Sequence, residues 1–193
     1  MSWKTELVGC LALVVFTGAI SRAGMMSAPM LETLVKDNSH VIIGRVLSKE
    51  SRRESVVITD DGLRSNIVFT YYDLLVTESI KGNLAKNYTL RTLGGELENY
   101  SVVYDGMPNL TIGERVLLFL TPSDRPGRTE AEVAYNLRYH HFAKFQVELV
   151  GGKEMVNMPM SKSVLGIEDE STSSKQIELR SLKKLISSHV STE

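Results

Sequence analysis

The stretch Ile67-Val68-Phe69-Thr70-Tyr71-Tyr72-Asp73-Leu74-Leu75-Val76-Thr77-Glu78-Ser79-Ile80 decides the fold. It is a long run of β-branched and aromatic residues and reads as a strand. Ile67, Phe69 and Tyr71 share one face, and Tyr72, Leu74 and Val76 share the other. A strand apolar on both faces is either central or bent, so that its two halves meet the core differently. Lys81-Gly82-Asn83 closes it.

Working outward, Val41-Ile42-Ile43-Gly44-Arg45-Val46-Leu47 reads as the first firm strand, with Gly44 marking a bulge or bend. Glu32 to Lys36 reads as a short helical turn before it. Val56-Val57-Ile58 reads as a second strand, followed by the turn signal Asp60-Asp61-Gly62. Downstream, Tyr88 to Thr92 alternates as a strand, Gly94-Gly95 breaks it in a tight bend, and Tyr100 to Tyr104 is extended. Asp105-Gly106-Met107-Pro108 is a turn. Val116-Leu117-Leu118-Phe119-Leu120 is a continuous apolar run typical of a buried strand. Pro122 and Pro126-Gly127 read as a loop. From Val133 the odd positions are apolar through Leu149, with His141 as the one interruption, and Gly151-Gly152 turns the chain into Met155-Val156 as a hairpin. Ile177, Leu182, Leu185, Ile186 and Val190 stand near helical spacing with Arg180, Lys183 and Lys184 between them, an amphipathic helix expected to dock on the flank of the sheet. No internal repeat is visible. Five or six strands, short turns and one terminal helix predict a mainly β fold, a small β-barrel.

The chain has 193 residues, 42% hydrophobic and 23% charged, with a formal net charge of −1. That fits one globular domain plus a tail and excludes wholesale disorder, collagen and coiled coil. A near-neutral balance argues against a protein built to grip nucleic acid or acidic lipid. Lys4 followed by the apolar run Leu7 to Ile20 and by Ser21-Arg22-Ala23 reads as a signal peptide over 1–23, cut after Ala23. Cys10 is the single cysteine. Leu7-Val8-Gly9-Cys10 spells a lipoprotein box, but most of the apolar run follows Cys10 rather than preceding it, so the plain leader is preferred. The mature chain then contains no cysteine and is expected to be exported, periplasmic or extracellular, with no integral membrane span and no disulfide framework.

The series His40-Val41-Ile42-Ile43-Gly44-Arg45-Val46, Phe69 through Val76-Thr77-Glu78-Ser79-Ile80-Lys81-Gly82, Gly94-Gly95, Gly106-Met107-Pro108, and Gly113-Glu114-Arg115-Val116-Leu117-Leu118-Phe119-Leu120 resembles a widespread group of exported bacterial proteins of unknown function. Its order and spacing are also similar to the netrin-like domain of tissue inhibitors of metalloproteinases, over roughly His40 to Leu149. The resemblance implies a five- to six-stranded OB-type barrel at 40–158, after a lead-in at 24–39. A polar linker at 159–175 and a C-terminal helix at 176–190 follow. A tissue inhibitor chelates its protease's zinc through an N-terminal cysteine, and this mature chain has none. The resemblance therefore carries a fold and no inhibitory residue.

His140-His141 is the most tempting pair for a site. On a regular strand neighbours point to opposite faces, so the pair binds one metal only if a bulge turns it, and His40 and His189 add no ligand spacing. The plainer reading is one exposed histidine and one packed in the wall. No Gly-x-Ser-x-Gly elbow, phosphate-cradling Gly-x-x-x-x-Gly-Lys or His-Glu-x-x-His helix occurs. Asp60-Asp61 and Glu168-Asp169-Glu170 lack the alternating oxygen ligands of a calcium loop and read as solvated turns. Tyr71, Tyr72, Tyr88, Tyr100, Tyr104, Tyr135 and Tyr139 offer stacking surfaces for a sugar or peptide, although alternation buries several. Asn87-Tyr88-Thr89, Asn99-Tyr100-Ser101 and Asn109-Leu110-Thr111 are glycosylation sequons, inert in a bacterium.

No catalytic, metal-ligating or cofactor-binding residue is assigned, and no cofactor is expected. The function expected is an exported, non-enzymatic binding module that engages a protein or peptide partner, a secreted protease being one specific case. A carbohydrate- or envelope-binding module and an enzyme of unrecognised type stand as alternatives.

Overall fold

The computed structural model describes residues 28–57, 59–126, 133–162, 164–167 and 175–191. The leader with Cys10, Gly127 and the Glu168-Asp169-Glu170 cluster lie outside them. Helix α1 (Leu31–Asp37) leads into β1 (His40–Val57), β2 (Arg64–Lys81), β3 (Asn87–Leu93), β4 (Gly95–Leu97) and β5 (Tyr100–Val102). β6 (Arg115–Pro126), β7 (Val133–Asn136), a 3-10 turn (His140–Ala143), β8 (Lys144–Val150), β9 (Lys153–Asn157), β10 (Gln176–Glu178) and α2 (Leu179–Val190) follow.

The architecture is mainly β, one large sheet with a helix at the C-terminal end. Its strand order is β1-β2-β3-β7-β6-β8-β9-β10. β1 also pairs with β6, His40 opposite Leu120 through Arg45 opposite Arg115, which closes β1, β2, β3, β7 and β6 into a ring of five. An odd ring cannot alternate strand direction throughout, so at least one neighbouring pair must be parallel. That pair is β3 with β7, at Thr89 opposite Ala134 and Leu90 opposite Tyr135. β4 and β5 form a separate hairpin.

The Ile67–Ile80 run lies within β2, and the doubling of its apolar faces has a physical cause. Tyr72 and Leu74 join the main core with Ile42, Ile43, Leu90, Phe119 and Phe145. Phe69 and Tyr71 join a second, smaller cluster with Val56, flanked by Ile67 and Leu93. The strand serves two cores, one on each face. The Val116–Leu120 run is fully buried because β1 pairs with one of its edges, β8 with the other, and both faces are covered.

Several boundaries differ from the expectation. Val56–Ile58 is not a separate strand: β1 runs unbroken from His40 to Val57, through the polar segment Ser48-Lys49-Glu50-Ser51-Arg52-Arg53-Glu54-Ser55. That segment is held extended by its ladder to β2, from Ser48 opposite Asp73 to Val57 opposite Arg64. Pro122 and Pro126 belong to β6, facing Tyr135 and Val133 across a register shift, where a strand tolerates proline. The alternation from Val133 is not one strand. It divides into β7 and β8 around the 3-10 turn, which absorbs the shift between Thr121 opposite Asn136 and Leu118 opposite Lys144. The described residues thus contain ten strands rather than five or six.

The Gly94-Gly95 bend is present, with φ of +87° and +146°. A Cβ at Gly95 would fall on the hydroxyls of Thr70 and Ser51, so both backbone and space demand glycine there. The terminal helix begins at Leu179, because Gln176–Glu178 pair with β9 as β10. It docks through Leu182 and Ile186 into the main core and packs against α1.

Candidate functional site

Beyond the point where β1 leaves β6, the β1–β2 ladder and β3 form a three-stranded wing. Its pairing sets two faces. Phe69 opposite Leu93 and Tyr71 opposite Arg91 lie on the far face, and Thr70 opposite Thr92 and Tyr72 opposite Leu90 lie on the near face. Each face carries a cleft.

The far cleft has a volume of about 370 Å³. Ile67, Phe69 and Leu93 floor it, and Leu137, Arg138 and His140 form the opposite wall. It opens because β7 stops short. The parallel register between β3 and β7 ends at Leu90 opposite Tyr135, and the chain then swings into the 3-10 turn. The amide of Gly94 donates to the Val68 carbonyl at 2.8 Å. That bond sets the phase of β3: even residues bond to β2, and the backbone groups of Leu93 point the other way, past the end of β7.

The charged groups of this cleft among the described residues are Arg91 and Arg138, beside the neutral polar Thr92 and Asn136. Arg91 is buried, with its guanidinium 4.8 Å over the Phe69 ring and bonded to the Ser123 hydroxyl at 2.8 Å. Arg138 is exposed on the rim. Among the described residues that line it there is no Asp or Glu. His140 has φ of +51°, the one non-glycine residue with positive φ among the described residues. Burial, and then the neighbouring His141, hold its imidazole below the usual value. His141 anchors the turn. Its amide donates to the Gly106 carbonyl at 2.9 Å, and its Nδ1 lies 3.0 Å from the same oxygen. Its ring lies 3.9 Å from that of Phe142, tilted by 45°.

On the same wing, Arg52 lies 4.4 Å over the Tyr71 ring, and Glu54 accepts from both Arg52 Nε at 2.7 Å and the Tyr71 hydroxyl at 2.5 Å. Burial, then the Glu54 bond, raise the Tyr71 pKa.

The near cleft is smaller, about 210 Å³, and lies under the β4–β5 hairpin. Its floor is polar. Lys49 Nζ donates to Asn109 Oδ1 at 3.2 Å, the Tyr72 hydroxyl donates to the same oxygen at 3.3 Å, and the Thr70 hydroxyl donates to the Gly94 carbonyl at 2.6 Å. Tyr104, half exposed, stands at its edge.

The histidine pair is therefore not on a strand, and neither reading of it as strand neighbours holds. Both are partly buried on the 3-10 turn, one facing the far cleft and one tied to Gly106. His40 packs edge-on against Tyr135 at 5.4 Å, and His189 is on the last turn of α2, so the four histidines do not converge. Among the described residues no group of three or more His, Cys, Asp or Glu is placed to hold a metal ion. Asp60 and Asp61 are exposed in the β1–β2 turn, and the Thr59 hydroxyl lowers the Asp61 pKa. Of the tyrosines, Tyr71, Tyr72 and Tyr88 are buried, Tyr135 and Tyr139 are partly buried, and Tyr100 and Tyr104 are exposed. Asn87 and Asn99 are exposed, whereas the Asn109 side chain is engaged by Lys49 and Tyr72.

The sequence did not single out Arg91, Leu93 or Arg138. They carry no motif, and only the early end of β7 brings them to one opening. No described helix is long and apolar enough to cross a membrane. No family model, no curated protein and no solved structure matches this chain.

Proposed function

We propose that the protein is an exported, non-enzymatic binding module of OB type that takes a peptide segment of a protein partner into the far cleft. The observation that carries this reading is the cleft itself. It combines an apolar floor of Ile67, Phe69 and Leu93 with the edge of β3 past Leu90, where no strand pairs with it among the described residues. An extended peptide uses both features: its side chains fill an apolar pocket and its backbone meets the strand edge. The volume lies at the lower end of the range for ligand sites, about 300–1,000 Å³, which suits a short segment rather than a helix. Folds of OB type bind ligands across the face of their second and third strands, and the cleft lies on β2 and β3 of the five-stranded ring. Export is supported by the leader pattern over 1–23. A secreted protease is one partner whose extended loops or termini suit such a cleft.

The test is a peptide array probed with wild-type protein and with Leu93→Glu, which puts a carboxylate into the apolar floor. Binding of apolar peptides that Leu93→Glu abolishes, with the circular dichroism spectrum unchanged, supports the reading. A blank peptide array beside a positive glycan array would reject it. That second outcome favours the saccharide reading, which rests on the near cleft, where the polar floor of Lys49, Tyr72 and Asn109 sits beside the exposed Tyr104 ring. Assaying secreted metalloproteases with and without the protein tests the narrower case of inhibition.

A further inference from the structure

The peptide-binding reading leaves the chemistry of the peptide open, and the far wall of the cleft narrows it. Arg138, exposed, and His140, partly buried, both line it, the buried Arg91 belongs to the same lining, and no carboxylate does among the described residues. Arg138 forms no ion pair or side-chain hydrogen bond with the described residues. A long side chain with five donors, exposed beside an apolar floor, is suited to a planar carboxylate.

The backbone of the turn points the same way. His140 is held at φ +51°, a region that L-residues seldom occupy and that costs conformational energy. Three hydrogen-bond contacts hold it there. The His140 amide donates to the Leu137 carbonyl at 3.0 Å, and the His141 amide and ring nitrogen both engage the Gly106 carbonyl. If residue 140 only completed a turn, glycine or asparagine would adopt this conformation at lower cost. The residue that is kept there lines the cleft together with Phe69 and Leu93.

We infer that the cleft selects a peptide segment in which an apolar side chain is followed directly by a carboxylate. The side chain enters between Phe69, Ile67, Leu93 and Leu137, and the carboxylate is received by Arg138 and His140. This inference rests on the peptide-binding reading and adds the charge requirement to it. The carboxylate has two sources, the C-terminus of a partner chain or an Asp or Glu side chain, and both present the same planar anion.

The test uses three fluorescein-labelled hexapeptides that share an apolar core ending in Leu-Phe: one with a free C-terminus, one with a C-terminal amide, and one amidated with Asp placed after Phe. Binding is read by fluorescence anisotropy on the full chain. The expected result is that the amide binds about tenfold or more weakly than the free acid, a ratio within reach of one charge-assisted contact. Recovery of affinity by the Asp-containing amide assigns the carboxylate to a side chain, and its failure assigns it to a chain terminus. Arg138→Gln is expected to bring the free acid down to the level of the amide while leaving the amide unchanged. His140→Asn, which keeps a residue tolerant of positive φ, is expected to weaken the acid alone. Equal binding of acid and amide, unaffected by Arg138→Gln, overturns the charge requirement and leaves the peptide-binding reading standing. Absence of binding by all three peptides, together with a blank peptide array, overturns both.

Discussion

At the scale of single residues, one buried side-chain oxygen among the described residues is left without a hydrogen bond. The Tyr88 hydroxyl is buried among the described residues with no hydrogen-bond partner, its ring set edge-on to Tyr135 at 5.7 Å. Burial pushes its pKa well above the ordinary tyrosine value. A buried hydroxyl without a partner costs about 1–3 kcal/mol in desolvation. Tyr88→Phe is therefore expected to raise stability, by about 1 kcal/mol, measured as a higher urea midpoint with an unchanged slope. A lower midpoint would show that the hydroxyl is satisfied in solution. Arg52 and Arg91 show a different residue-level effect. Each lays its guanidinium over an aromatic ring of the second cluster, so charged side chains act as part of the cover of Tyr71 and Phe69. No periodicity in the sequence announces that role. The same holds for His140: its residue type and its neighbour were conspicuous, but its positive φ and its place on the cleft wall follow from the turn.

At the scale of elements, the long β1 strand raises the question of its open edge. Past the Gly113 amide bond to the Val46 carbonyl at 2.8 Å, no strand pairs with that edge among the described residues. The segment Ser48–Ser55 carries Lys49, Glu50, Arg52, Arg53 and Glu54, the kind of charge that keeps a strand edge from pairing with another chain. Arg53→Val combined with Ser55→Val would line up three valines with Val57 on one face. It is expected to raise the weight-average mass in light scattering at fixed concentration, whereas Arg53→Lys leaves it unchanged. The same polar run hides the continuity of this strand from its sequence pattern, which shows an apolar segment at each end. Its apolar partners are on β2, and its own side chains give no alternation. Helix α2 shows the converse case, where periodicity sufficed. Leu182 is fully buried, and Leu182→Ala is expected to cost about 2–5 kcal/mol in chemical denaturation. Lys183, paired with Glu78 at a partly exposed position, is expected to cost less than about 1 kcal/mol when truncated.

At the scale of the whole molecule, the titrating groups shape how stability depends on pH. Burial lowers the pKa of His40 and, with help from His141, of His140, so the unfolded chain takes up their protons first. Their contribution is intact above about 6.5 and is lost as pH falls through their lowered values. Tyr71, Tyr72, Tyr88 and Tyr135 are raised chiefly by burial and Tyr139 chiefly by its bond to Asp37. Their contribution is intact below about 10 and is lost as pH rises through their higher values. Urea midpoints are therefore expected to be flat between these limits and to fall on both sides, and His40→Asn should flatten the acid limb. A midpoint that climbs as pH drops from 7 to 5 would contradict this. Sequence alone determined the strand character of Ile67–Ile80, the buried run Val116–Leu120, the Gly94-Gly95 bend, the Gly151-Gly152 hairpin and the terminal helix. Each of these is set by local chemistry: β-branching, alternation, helical spacing or a glycine's freedom. Tertiary structure alone decided the continuity of β1, the prolines within β6, the parallel β3–β7 pair within the ring of five, and the cleft where β7 ends before β3. These depend on pairings between residues far apart in the chain, where a partner strand supplies the hydrogen bonds and burial that the local sequence lacks.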